Sequence, residues 1–245
     1  GAYVRGGLSR RKYAACRRVV AVSSAIREVL LKGGLAPGRL RLVYEGVPDR
    51  PPQPGGREAL RELGVPEGAL VVGNVAALTD HKDQRTLLRA AAEVLRAGAP
   101  ACFVVVGEGE LRAPLEQLAR ELGLGPRCLF AGFRADLDRL LPAFDVFCLS
   151  SHMEGLGTSL LDAMCFARPV VATAAGGIPE AVEDGVTGRL AAPRDPAALA
   201  AALREALHSA ERRRAWGAAG RARFERLFTA ERMVAQSLAV YAEAA

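Results

Sequence analysis

The chain has 245 residues, 50% of them hydrophobic and 24% charged, which suffices for one large α/β core or one and a half smaller ones. No window approaches about eighteen consecutive strongly apolar residues and no signal-peptide pattern is present, so the sequence argues against a membrane span or export and for the cytoplasm. The net charge of +6 comes mostly from arginine, since lysine occurs only at Lys12, Lys32 and Lys82; the bias towards Arg, Ala, Leu, Gly and Pro reads as a GC-rich genome rather than as nucleic-acid binding.

The chain opens with clustered basic residues, Arg5, Arg10, Arg11, Lys12, Arg17 and Arg18, accompanied only by the aromatics Tyr3 and Tyr13. That pattern predicts a solvated or domain-facing surface and permits peripheral contact with the inner face of an anionic membrane; it carries no nucleic-acid motif. Residues 18–22 and 40–44 have strand composition around a helix that begins at Ser23 or Ser24. Two strands and one helix cannot close a sheet of their own. Residues 1–48 are therefore expected to be the remnant of an earlier α/β domain plus a hinge, and the Pro/Gly-rich stretch opening residues 49–69 to be a linker leading to a short helix.

From residue 70 the pattern becomes regular. Strands are predicted at 70–76, 102–106, 127–130, 145–150, 169–173 and 188–191, separated by a helix carrying Leu87, Leu88, Ala91 and Leu95 and closed by Gly98 and Pro100, and by helices over 111–122, near 136–142 and after Gly157. Asp195-Pro196 places an N-cap before a proline at the first helical position, opening a helix to about His208; two more helices fill 211–244, with Thr229 a cap for the last. Near-continuously apolar strands alternating with helices predict an α/β fold, a doubly wound parallel sheet covered on both faces. The expected boundaries are 70–228 for this Rossmann-like domain and 229–245 for a C-terminal helix.

Five cysteines, Cys16, Cys102, Cys128, Cys148 and Cys165, form no C-x-x-C pair and have no histidine at metal-ligand spacing, so they read as free thiols, with Cys102 and Cys148 in the core. His208 reads as a surface residue; His81 and His152 lie near candidate site loops and read as turn and supporting residues rather than catalytic bases.

The most informative segment is Glu154-Gly-Leu-Gly157, with Asp162 eight positions after its glutamate. It falls between a strand and a helix, at the carboxyl end of a sheet strand where α/β folds bind ligands. Gly155 and Gly157 let the backbone approach a ligand closely, and the unpaired amides at the helix start favour an anion. A carboxylate beside such an anion site must face something neutral and hydroxylated, as a sugar is. In isolation the loop admits two readings, a sugar-phosphate site or a glycine-bounded turn whose acid is favoured by the helix dipole alone.

Several further segments accompany it in order: Val20-Ala-Val-Ser-Ser-Ala25, Tyr44-Glu-Gly-Val47, Gly73-Asn-Val-Ala-Ala-Leu-Thr-Asp-His-Lys82, Val106-Gly-Glu-Gly109, Phe130-Ala-Gly-Phe133 and Gly176-Gly-Ile-Pro-Glu180. Together they resemble the C-terminal, donor-binding half of retaining glycosyltransferases of GT-B architecture, family 4 (glycosyl transferases group 1). The resemblance implies that a nucleotide diphosphate sugar is held here and that a separate N-terminal half holds the acceptor, a glycan or lipid-linked glycan. Carried over residue by residue, Lys82 neutralises the donor diphosphate, Glu154 meets the donor sugar, and the amides of Gly155, Leu156 and Gly157 hold sugar hydroxyls and the distal phosphate. Asp162 takes the ribose, Gly107 allows close approach of the donor, and Arg134 contacts the base through its main chain. Lys82 and Glu154 are the expected catalytic residues.

The chain departs from the family pattern twice. Ala77 stands where members often have an arginine five residues before the lysine, leaving the diphosphate to Lys82, helix amides or an arginine from elsewhere such as Arg85. Asp162 replaces a glutamate and is one methylene shorter. The resemblance implies retention of anomeric configuration, no cofactor and no obligatory metal, there being no D-x-D motif. The chain by itself is expected to be inactive. Other readings are a GT-B epimerase or phosphorylase relative and a non-catalytic nucleotide-binding or interaction module; donor base, sugar and acceptor are not legible.

Overall fold

The computed structural model describes residues 11–13 and 15–244; Tyr3, Arg5 and Arg10 of the basic cluster lie outside them. A small layer comes first. Strand β1 (Val19–Ala21) pairs in parallel with β2 (Leu40–Leu42), Val19 opposite Leu40, and α1 (Ser24–Lys32) connects them. The Ser23 hydroxyl accepts from the Ile26 amide and caps α1, while Ala21, Leu30, Leu35 and Leu40 form a small separate core.

The chain then passes through the proline-rich segment and α2 (Gly56–Glu62) into β3 (Leu70–Val75), which starts in the middle of a six-stranded sheet. After β3 come α3 (Gln84–Arg96), β4 (Ala101–Val106), α4 (Arg112–Glu121), β5 (Cys128–Gly132) and the short α5 (Leu137–Leu140). The chain next returns to the other side of β3 with β6 (Val146–Leu149), α6 (Thr158–Cys165), β7 (Val170–Thr173), the short α7 (Ile178–Ala181) and β8 (Gly188–Ala191). Three helices follow: α8 (Pro196–His208), α9 (Ala210–Leu227) and α10 (Ala230–Ala244). The strand order is β5-β4-β3-β6-β7-β8 and every pairing is parallel. Between β3 and β6 the winding reverses, which splays the loops leaving these strands and opens a crevice at their carboxyl ends.

Strands β4 and β6 are apolar and buried throughout because each of their sides meets helices. Val71 and Phe147 point into one core with Leu160 and Leu161 of α6 and Phe224 of α9; Val72 and Phe103 point into the other with Leu87 and Leu88 of α3 and Leu199 and Leu203 of α8. This is the doubly wound α/β sheet expected from the strand pattern. The cap at Asp195 forms as the dipeptide predicts, its side chain accepting from the Ala198 amide at 2.9 Å. Cys102 and Cys148 are fully buried, and burial pushes the Cys102 thiol up to about 11.

Several contacts join the small layer to the main body. Val47 and Thr229 form a bridge, with Val47 N donating to Phe228 O and Ala230 N to Val47 O, both at 3.0 Å. Here the chains come so close that a Cβ on Gly46 would sit 2.3 Å from the Thr229 carbonyl oxygen. Helix α10 then runs back to the small layer, where Arg41 and Arg18 both bond Glu243.

Candidate functional site

The crevice between β3 and β6 is where the expected residues meet. Lys82 lies at the end of the loop after β3 and Glu154 in the loop after β6; Lys82 Nζ stands 2.5 Å from Glu154 Oε2, with side chains 18% and 12% exposed. Other bonds brace the pair. Ser151 Oγ donates to the same Glu154 oxygen at 3.1 Å, and Ser150 Oγ donates to the Lys82 carbonyl at 3.0 Å. The two histidines belong to the same bracing: the His152 amide donates to the His81 carbonyl, while the His152 ring lies 3.2 Å from Asp80 and 3.3 Å from Arg194.

Beside the pair lies a cleft of 460 Å³ whose lining includes Lys82, Gly107, Phe133, Arg134, Ser159 and Asp162. Gly107 adopts φ 139°, and a Cβ there would come within 2.0 Å of the Ala76 carbonyl oxygen, so only glycine fits. Gly157 takes φ 97° at the start of α6, and the helical ladder begins with Leu160 N donating to Gly157 O; the first amides of α6 thus lie ahead of the ladder. Leu156 is fully buried and offers a ligand only its main chain. The loop is pressed from behind by Gly176 and Gly177, where a Cβ would meet the Glu154 and Gly155 carbonyl oxygens at 1.9 and 2.1 Å.

Arg134 does not reach out with its guanidinium. It forms a two-pronged pair with Asp136 at 2.8 and 2.6 Å, while the neighbouring Phe133 is 77% exposed. Arg85 is exposed on the first turn of α3, outside the lining of the cleft.

Three participants were missed by sequence reasoning. Glu45, at the hinge, has its carboxyl pushed up by burial and by the negative charge of Glu154, with Lys82 pulling it down, so it sits in the field of the ion pair. Arg50, in the proline-rich segment, donates to Asp162 Oδ1 and pairs with Asp138 at 3.0 Å. Burial pushes the Asp162 carboxyl up, Arg50 draws it down and Asp138 adds to the rise. Glu180, at α7, accepts from the amides of Ser24 and Ala25 at 2.7 and 2.9 Å and from the Tyr44 hydroxyl at 3.1 Å, fastening α1 beside the site. The only sequence signal for any of them was that Glu45 and Glu180 fall inside segments with family resemblance; nothing local marked Arg50. Among the described residues no group of three or more His, Cys, Asp or Glu is arranged to hold a metal ion.

The family model described as glycosyl transferases group 1 matches residues 57–223. The chain belongs to this family. Among its group 1 relatives is the D-inositol 3-phosphate glycosyltransferase of Geodermatophilus obscurus, 38% identical over 94% of this chain and 53% of the relative. The protein of the same name from Mycobacterium tuberculosis is 35% identical over 71% of this chain and 37% of the relative. The chain thus spans about half, or less, of the length of these curated relatives. A group 1 chain of this topology also has solved counterparts. Anabaena HepE, solved with UDP and glucose, superposes with a TM-score of 0.84 at 27% identity, covering 91% of this chain and 63% of HepE. A Rickettsia africae glycosyltransferase superposes with a TM-score of 0.87 at 19% identity, covering 99% and 68%, and speaks for the fold alone. The fold is therefore the Rossmann-like α/β unit of GT-B glycosyltransferases.

Proposed function

We propose that the chain is the donor-binding half of a retaining glycosyltransferase that takes a nucleotide diphosphate sugar and passes the sugar to a glycan or lipid-linked glycan. The observation that carries this reading is the Lys82–Glu154 pair, 2.5 Å apart at the reversal of the sheet, beside an open cleft and the uncommitted start of α6. A buried-edge cation and carboxylate side by side suit a ligand that is anionic at one atom and hydroxylated at the next. That is the junction of a sugar and its diphosphate.

In this reading a donor exchanges partners with the pair. Its diphosphate takes the Lys82 ammonium, and its sugar hydroxyls take the Glu154 carboxylate, while the amides of Gly155, Leu156 and Gly157 and the first turn of α6 meet the distal phosphate. Charge that builds on the departing diphosphate is met by Lys82 and those amides, the role a cation would otherwise fill, so we propose no cofactor and no obligatory metal. Asp162 accepts from the ribose, the Phe133 ring offers the base a stacking face and the Arg134 main chain offers it hydrogen bonds. HepE was solved with UDP-glucose, and we take a uridine donor as the first to test.

Residues 1–48 are read as the remnant of the acceptor domain and hinge, 49–69 as linker and short helix, 70–228 as the donor domain and 229–245 as the closing helix. With no acceptor held against the donor, the orientation that makes transfer fast is missing, and the chain alone is expected to bind donor without turning it over. A cytoplasmic place with peripheral contact at the inner membrane face is proposed from the basic opening cluster; flotation with anionic vesicles tests it.

The experiment that decides the reading is thermal unfolding of the chain with UDP-, GDP- and ADP-sugars. A ligand at a hundred times its Kd adds about 2.7 kcal/mol to stability, so one nucleotide class should raise the midpoint selectively. If no nucleotide moves it, the donor-site reading is wrong.

A further inference from the structure

Arg50 lies outside the lining of the donor cleft but touches it through Asp162, from the segment that joins the hinge to the main body. Its Nη1 lies 3.0 Å from Asp138 Oδ1 of α5, its Nη2 donates to Asp162 Oδ1 of α6, and its Cζ sits 5.8 Å from the centre of the Phe166 ring. One guanidinium is shared by two carboxylates at a place where the side chains of Arg50, Asp138 and Asp162 keep 32%, 25% and 17% of their exposure. A planar fork can serve two acids at once, which an ammonium does less well. Phe166 beneath it limits where the fork can go.

We propose that Arg50 is a positioning residue of the donor site, which by engaging Oδ1 of Asp162 orients that side chain so that Oδ2 can accept from the ribose hydroxyls of a sugar nucleotide. The inference rests on the donor-site reading above and adds to it the device that makes the shorter Asp162 serviceable. An aspartate this enclosed, with Asp138 facing it, is pushed towards its neutral form by burial, and Arg50 is the charge that opposes this. Across the cleft, Lys82 is engaged by Glu154, Arg134 by Asp136, and Glu108 is itself paired with Arg112, so no other described cation lining the cleft is free to take over. The ribose contact is thereby tied to the segment between hinge and body instead of to α6 alone.

The test is calorimetric titration of the chain with UDP-glucose and with its 2′-deoxyribose analogue at about pH 5.5 and about pH 8. If the unfolding panel selects another class, GDP-mannose or ADP-glucose and its deoxy analogue replace them. These donors are diphosphate diesters and keep their charge over that range, so a pH effect reports the protein. Wild type should prefer the ribose form by about ten-fold at both pH values, the size of a hydrogen bond to a charged group. Arg50→Met should keep most of that preference at the higher pH and lose it at the lower, because Asp162 then takes up a proton. Arg50→Lys should retain the preference at both. Asp138→Asn, which removes the opposing charge and tests the idea even if Arg50→Met fails to fold, should leave the low-pH preference intact or enlarge it. Loss of preference in Arg50→Met by the same factor at both pH values, no loss at either, or a low-pH loss in Asp138→Asn would each overturn the inference. Wild type that binds the donor without preferring ribose overturns it too, while wild type that binds no sugar nucleotide overturns the donor-site reading instead.

Discussion

Lys82 and Glu154 bond one another, so the two cannot be tested as independent residues. Removing Glu154 leaves Lys82 without its carboxylate and open to a diphosphate; removing Lys82 leaves Glu154 accepting from Ser151 and no cation for the ligand. Lys82→Ala should therefore weaken both UDP and UDP-glucose by about ten-fold or more, the scale of a charge-assisted contact. Glu154→Ala should bind UDP as well as wild type or better, yet lose the advantage that the glucose moiety confers. Titration of both variants with both ligands checks this; equal, negligible effects would remove both residues from the roles proposed. The two residues stood out in the sequence for local reasons, a rare lysine after a strand and a carboxylate in a glycine turn. Glu45 and Arg50 did not, because each acts through neighbours far away in the chain, and no local pattern encodes those contacts.

At the scale of elements, α1 is attached to the main body through the carboxylate of Glu180. Burial pushes that carboxyl up, but the amides of Ser24 and Ala25 and the Tyr44 hydroxyl outweigh it, and the net result lies below the ordinary value of 4.5. A depressed acid stabilises the fold above its unfolded value, and that contribution is lost as pH falls through the folded one. The α1 amides at Ser24 and Ala25 should thus lose protection from hydrogen exchange at acid pH before the β3 and β4 amides do, and Glu180→Gln should show the loss already at neutral pH. If protection at Ser24 and Ala25 is the same at both pH values and in the variant, Glu180 is not the fastening. The elements themselves were legible to within a few residues, since strand composition, the Asp195-Pro196 start and the Thr229 cap are local chemistry. The Glu180 clamp was not, because a carboxylate capping a helix some 150 residues earlier in the chain is known only once both are placed.

For the molecule as a whole, the two layers differ greatly in how much they bury. The small layer rests on a core of four buried residues, Ala21, Leu30, Leu35 and Leu40, whereas both faces of the main sheet carry extensive apolar packing. Local opening costs less where fewer apolar contacts are lost. Native-state hydrogen exchange should find β1 and β2 opening at a lower free energy than β3, β4 and β6, and a bound sugar nucleotide should raise protection in the main sheet more than in the small layer. Uniform protection across both layers would mean that the Val47–Thr229 bridge and α10 weld them into one cooperative unit.

By itself the sequence determined the alternation of buried strands and helices, hence the doubly wound sheet, and it placed Lys82 and the Glu154 loop at strand ends, because both depend on the spacing of apolar and turn residues within short stretches. Only the tertiary structure decided that these loops meet, that Arg50 engages Asp162 and that Glu180 caps α1. Those pairings follow from the strand order, in which β6 returns to the far side of β3, and strand order is set by how whole elements pack, not by any pattern within one of them.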